Sequence, residues 1–288
     1  MELMEEGQGS SEMESITEIE TTSESLDSSA IFHVIKNVVG FVLYMHQQIP
    51  SILQDLCLEF EALQTEYKEL HPKNFRLQET GLTQNEIKGS TRRKHISRMR
   101  EVKHGIRRFD KLMKTVSSLE TMLQLIFSEI CNIQQVVLIL GGSPLRPQHV
   151  YELYFSHGKF VPRCSGDFAK SKSAEVLSRK AIRDLVSKGA GSGSYPGPTK
   201  LFLLVKAPSS LNMPLHFLPK RDFRYSKKIV PYKIRFKCKT QDREMVAPDH
   251  ASQICSSTSL THSISDELIW YQCRHVIKGI AFKTPVEE

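Results

Sequence analysis

From Ile31 to Gln48 the apolar residues Ile31, Val34, Ile35, Val38, Val39, Val42 and Leu43 return every three or four positions. That rhythm predicts an amphipathic helix. Asp27, Ser28 and Ser29 offer capping oxygens before it. Pro50 ends it, because proline cannot continue the hydrogen-bond ladder. Ile52, Leu53, Leu56, Leu58, Phe60, Leu63 and Tyr67 predict a second helix, stopped at His71-Pro72. Residues 72–92 are polar, contain Gly81 and Gly89, and read as a loop. The strongest periodicity follows, from Ile96 through Val102, Phe109, Val116 and Leu123 to Ile130. It predicts a helix about 50 Å long, at roughly 1.5 Å per residue.

The period then changes. Val136–Leu140 is a continuous apolar run entering Gly141-Gly142, and Val150–Phe155 is a second short apolar stretch. Together they predict a hairpin across GGSPLRPQ. Residues 172–187 predict a short helix with Val176, Leu177, Ile182 and Leu185 inward. Residues 189–198, GAGSGSYPGP, read as a flexible loop. Leu201–Val205 predicts a strand. In residues 222–239, Tyr232, Ile234, Phe236 and Cys238 alternate with Lys233, Arg235 and Lys237, the mark of a half-buried strand. Residues 241–262 read as a loop. Leu268–Tyr271 and Val276–Phe282 predict closing strands. The order predicts an α+β fold with helices packed against a mainly antiparallel sheet.

Charge divides the chain. Residues 1–28 hold nine acidic residues and no Lys or Arg. With so few large apolar side chains, this segment is expected to be a disordered acidic tail, leaving residues 29–288 as one domain. That remainder carries 39 basic residues against 23 acidic, a net +16. A basic body suits an acidic partner or nucleic acid. The first half of the long helix, Arg92 to Lys114, is the most basic stretch. It lacks interleaved aromatics and helix-turn-helix spacing, so nucleic acid is not the expected partner. No apolar run approaches the ~20 residues of a membrane span. The opening MELMEEGQGSSEMES has no leader pattern. The six scattered cysteines, without a CxxC pair, read as reduced thiols.

Catalytic motifs are weak. Ser143 follows two glycines, but a nucleophile elbow needs GxSxG before a helix, and Pro144 follows here. The glycine loop at 189–198 follows a helix and precedes a strand, the reverse of a phosphate-binding loop. Cys255, His262, Cys273 and His275 lack the close pairing of structural zinc ligands. The expectation is a protein without catalytic residues, metal or cofactor.

Three segments carry a resemblance. They are Leu43-Tyr44-Met45-His46-Gln47-Gln48-Ile49-Pro50; Val137–Gly142 continuing to Tyr151-Glu152-Leu153; and Ile269-Trp270-Tyr271-Gln272 with Ile277-Lys278-Gly279. Phe217-Leu218-Pro219-Lys220 is a weaker fourth. Together they resemble the comet-type binders of the mitotic-arrest-deficient spindle-checkpoint protein. The resemblance implies a HORMA-like fold: three helices, the longest central, on a mainly antiparallel sheet closed by a C-terminal belt. It implies a non-enzymatic adaptor that binds the closed checkpoint HORMA protein. The adaptor presents that protein to a hexameric AAA+ ATPase of the pachytene-checkpoint type, silencing the spindle checkpoint. The implied location is nucleus and cytoplasm, with kinetochore or spindle. A meiotic chromosome-axis HORMA-type or DNA-associated protein is the alternative. Partner contacts carry over to Tyr44, Met45 and Gln48, where Met45 replaces a polar residue, and to Ile182, which replaces an aromatic one. The basic face through Arg107, Arg108 and Lys111 suits an acidic partner. Pro219-Lys220 matches the dipeptide offered to the ATPase.

Overall fold

A computed structural model describes residues 16–21, 26–71, 89–130, 133–156, 168, 172–193, 197–238 and 267–280. Its elements are β1 (Ile16–Glu20), α1 (Ser28–Met45), α2 (Leu56–Glu69), α3 (Gly89–Glu129), β2 (Gln135–Ser143), β3 (Arg146–Ser156), α4 (Lys172–Ser187), β4 (Lys200–Pro208), β5 (Phe217–Lys220), β6 (Tyr232–Lys237), β7 (Leu268–Cys273) and β8 (Ile277–Lys278). The fold is mixed α+β, with four helices among the described residues rather than the three the resemblance implies.

The sheet has eight strands in the order β1-β6-β3-β2-β4-β7-β5, with β8 also on β4. The hairpin β2–β3 is present, with a register shift at Gly141. A β-carbon on Gly141 would lie 2.7 Å from the Arg146 carbonyl oxygen, so the strand crossing requires glycine there. Two pairings are parallel, β1 with β6 and β6 with β3, so the sheet is mixed. Parallel pairing needs a long connection, which local alternation does not reveal.

α1 packs against both α3 and α4 and is buried along most of its length. Asp27 caps it, its carboxylate accepting from the Ala30 amide at 2.7 Å. Alone among the described residues, this helix is long and apolar enough to cross a membrane by composition. A mostly buried core helix meets the same description, and α1 is one, buried on every side but the face of His33, Lys36, Asn37 and Tyr44. The innermost helix is therefore α1, not the longest one. α3 runs 41 residues, about 60 Å, and begins at Gly89, inside the stretch expected to be loop. It packs on α1, α2 and β8.

The main core joins α1, the inner faces of α3 and α4, and one face of the sheet. A smaller cluster, Val137, Ile139, Val150, Phe202 and Leu204, lies on the other face under Phe223, Tyr225, Ile229 and Trp270. The nearly buried Glu152 ties that cover down, accepting from the Tyr154 and Tyr225 hydroxyls at 2.5 Å each. In β6, Ile234 and Phe236 are buried as the alternation requires, as is Cys238 just after it, and Tyr232 stacks on Tyr151 with centroids 5.1 Å apart.

The acidic tail needs correction. Residues 16–20 form β1, paired in register with β6, and Ile19 is buried. Glu18 accepts from Lys237 at 2.6 Å and Arg235 at 3.3 Å, and these cations hold its carboxyl below the usual range. Leu26 and Ser28 are buried too. The acidic composition masks a period-two strand whose Glu18 is met by the basic face of β6. In α4, Val176 points outward, while Ala174, Leu177, Ser178, Ala181 and Leu185 are buried. The loop expected at 241–262 lies outside the described residues.

Candidate functional site

On α1, His33, Lys36, Asn37, Gly40, Phe41 and Tyr44 recur at three- and four-residue spacing and share one face. With Val116 and Glu120 of α3, Glu175, Ser178, Arg179 and Ile182 of α4, and Ile52–Gln54, they line a groove of about 620 Å³. Polar ties fix its sides. Lys36 Nζ pairs with Glu120 Oε2 at 2.9 Å, Asn37 Nδ2 donates to Ser178 Oγ at 3.0 Å, and His33 Nε2 lies 2.9 Å from the Phe168 carbonyl. Gly40 lets the segment after α1 lie close, since a β-carbon there would sit 2.9 Å from Leu53 Cδ1.

Tyr44, 44% exposed, and the half-buried Ile182 line this same groove. The others do not join them. Met45 is half-buried beneath the turn after α4. A β-carbon on Gly191, at φ +82°, would lie 2.8 Å from Met45 Cβ and 3.0 Å from its carbonyl oxygen.

Gln48 must be corrected as a surface contact, because it is fully buried. Its Nε2 donates to the carbonyls of His46 at 2.7 Å and Gly197 at 3.3 Å, and its Oε1 accepts from the Thr199 amide at 2.7 Å. Its own carbonyl accepts from the Ile280 amide at 2.9 Å. A glutamine after a helix end reads as polar surface. Here it is the knot joining α1, the 197–199 turn and the C-terminal segment.

Beside Gln48, His46 is buried, with Nε2 2.6 Å from the Tyr151 hydroxyl and its ring 4.1 Å from that of His149. Burial, and secondarily His149, pull its pKa down to about 4. Burial also lowers His149 and raises Tyr151.

Arg107 and Lys111 are exposed on α3 and Arg108 is half-buried. Arg108 and Lys111 line a different pocket, of about 210 Å³, with Lys278 of β8. The basic face and the groove are thus two separate surfaces. Pro219 and Lys220 are exposed in β5, the edge strand beside β7, rather than in a loop.

Ser143 ends β2 in the hairpin, without a following helix. Cys255 and His262 lie outside the described residues. Cys273 is buried, and its Sγ receives the His275 amide at 3.3 Å, while burial pushes the thiol up to about 12. His275 Nε2 lies 3.1 Å from His216 Nδ1. Among the described residues no three metal-ligating side chains gather.

No protein-family model matches this chain, and no curated protein matches it. The groove and the smaller pocket therefore carry the functional reading. Sequence reasoning passed over Gly40, Lys36 and Glu120, although the i, i+4 recurrence of His33, Asn37 and Phe41 already marks a less apolar stripe on α1. It gave Lys278 no role of its own, because the pairing of β8 with β4 beside α3 has no local signature.

Proposed function

We propose that this protein is a non-enzymatic adaptor. It binds the closed form of the mitotic-arrest-deficient HORMA checkpoint protein and presents it to a hexameric AAA+ ATPase, silencing the spindle checkpoint. One observation carries the reading: Tyr44 and Ile182, chosen from distant parts of the sequence, line one groove between α1, α3 and α4. An exposed aromatic beside a half-buried aliphatic, ringed by ion pairs, is the composition of a protein-docking hot spot. The long, basic α3 offers additional surface and favours an acidic partner by steering. Exposed Pro219-Lys220 is free to meet the ATPase.

The alternative, a chromosome-axis HORMA-type protein that grips a peptide beneath its own belt, is less favoured. β7 already occupies the slot between β4 and β5, hydrogen-bonded on both sides. The HORMA-like fold and the nuclear and cytoplasmic location are part of the proposal. The direct test is capture by the checkpoint protein locked open or closed. Selective capture by the closed form supports the adaptor, and no binding to either form rejects it.

A further inference from the structure

We propose that the pocket between α3 and β8 binds a phosphorylated serine or threonine side chain of a protein partner. Its walls are apolar, formed by Leu112, Val276 and Ile280, and its rim carries Arg108, Lys111 and Lys278. No lining residue is acidic. Among the described residues no carboxylate pairs with any of the three cations. Other α3 cations, Arg100, Lys103 and Arg107 among them, are likewise unmatched by a carboxylate among the described residues, but they do not line the pocket, and two α3 cations are matched. Arg98 is met by Glu66 at 2.6 Å and Glu101 at 3.6 Å, and Lys114 by Asp110 at 2.8 Å.

Three cations left together raise the local potential, and an anion entering there gains charge-assisted hydrogen bonds. A single carboxylate would leave two of the three charges uncompensated. A phosphomonoester carries about −1.5 to −2 at neutral pH and three acceptor oxygens, so it balances this rim better. The apolar walls accept the methylene or methyl group that bears the phosphate.

The pocket is also held in shape. Its β8 side is pinned by the Gly279 amide donating to the Thr199 carbonyl at 2.8 Å and the Ile280 amide donating to the Gln48 carbonyl at 2.9 Å. Leu112 is anchored in the core. The backbone and the apolar wall are thus in place before binding, and only the rim side chains are left to order.

The site stands apart from the groove and does not depend on the checkpoint reading, so its test uses no checkpoint protein. The full chain is titrated, at fixed ionic strength because salt screens such contacts, with N-acetyl-phosphothreonine amide, and binding is followed by NMR. The unphosphorylated threonine amide, N-acetyl-glutamate amide and inorganic phosphate serve as comparison probes. Saturable binding of the phosphothreonine probe is expected. Lys278→Gln and Lys111→Gln should each weaken it about tenfold, as loss of a charge-assisted bond does. Lys103→Gln, an exposed charge loss on α3 outside the pocket, should leave it unchanged. Inorganic phosphate should bind more weakly, lacking the carbon that meets the walls. Equal weakening by Lys103→Gln, glutamate binding as tightly as phosphothreonine, or no saturable binding would each overturn the site.

Discussion

The side-chain amide of Gln48 occupies the space where a β-carbon on Gly279 would stand. Gln48 follows α1 and Gly279 follows β8, so this contact fastens the C-terminal segment to the innermost helix. Any side chain at position 279 must push the amide away from its three hydrogen-bond partners. Gly279→Ala should therefore destabilise the protein by about 1–3 kcal/mol. Gln48→Ala should cost a similar amount by leaving the Thr199 amide unpaired. The double variant should cost less than the sum, because Gln48→Ala removes the obstacle. Chemical denaturation of the three variants checks this.

Acid should loosen the same corner. His46 is neutral when folded, its pKa lowered from 6.5 to about 4. The unfolded chain takes up a proton there first as pH falls. Stability from His46 is thus fully present above about pH 6.5 and drains away toward pH 4. The loss should be on the order of 2 kcal/mol, allowing for partial solvent screening. Denaturation midpoints between pH 7 and 4 should slope less in His46→Gln than in the parent.

Thiol reactivity should follow burial. Cys57 is exposed, while Cys238 and Cys273 are buried, and burial raises both thiols. Brief alkylation of the native protein near pH 8, read by mass spectrometry, should modify Cys57 well before Cys273.

Pro219 and Lys220 point outward from an edge strand and support no core packing. Replacing both with alanine should change the melting temperature little. In a reconstituted assay it should abolish ATPase-driven opening of the checkpoint protein while leaving checkpoint-protein binding intact. Loss of binding as well would place the dipeptide in the wrong interface.

Strong local periodicity made much of the fold legible in the sequence. α1, α3, the β2–β3 hairpin and the alternation of β6 all follow from apolar spacing. What stayed hidden depends on distant partners. β1 is a strand because Ile19 finds the core and Glu18 finds Lys237 and Arg235; alone, its acidic context reads as unfolded. β5 contains a proline, which suits an edge but weakens a strand signal. Gln48 looked like surface because only the folded chain brings Gly197, Thr199 and Ile280 around it. The groove was half legible, and only through the resemblance: it picked out Tyr44, which periodicity alone leaves unmarked, and Ile182, which periodicity alone sets inward, but not Lys36 and Glu120, which tie its sides. Arg108 and Lys111 turned out to belong with Lys278 on another surface.

The adaptor reading stands or falls on the groove that Tyr44 and Ile182 share. The decisive measurement is affinity for the checkpoint HORMA protein locked closed, locked open, or closed with Tyr44→Ala or Ile182→Glu in this chain. The account predicts tight binding to the closed form alone. Each substitution should weaken it by about 2 kcal/mol or more, as hot-spot truncations do, without a change in melting temperature. Equal binding to both forms, or variants that bind as well as the parent, would contradict it.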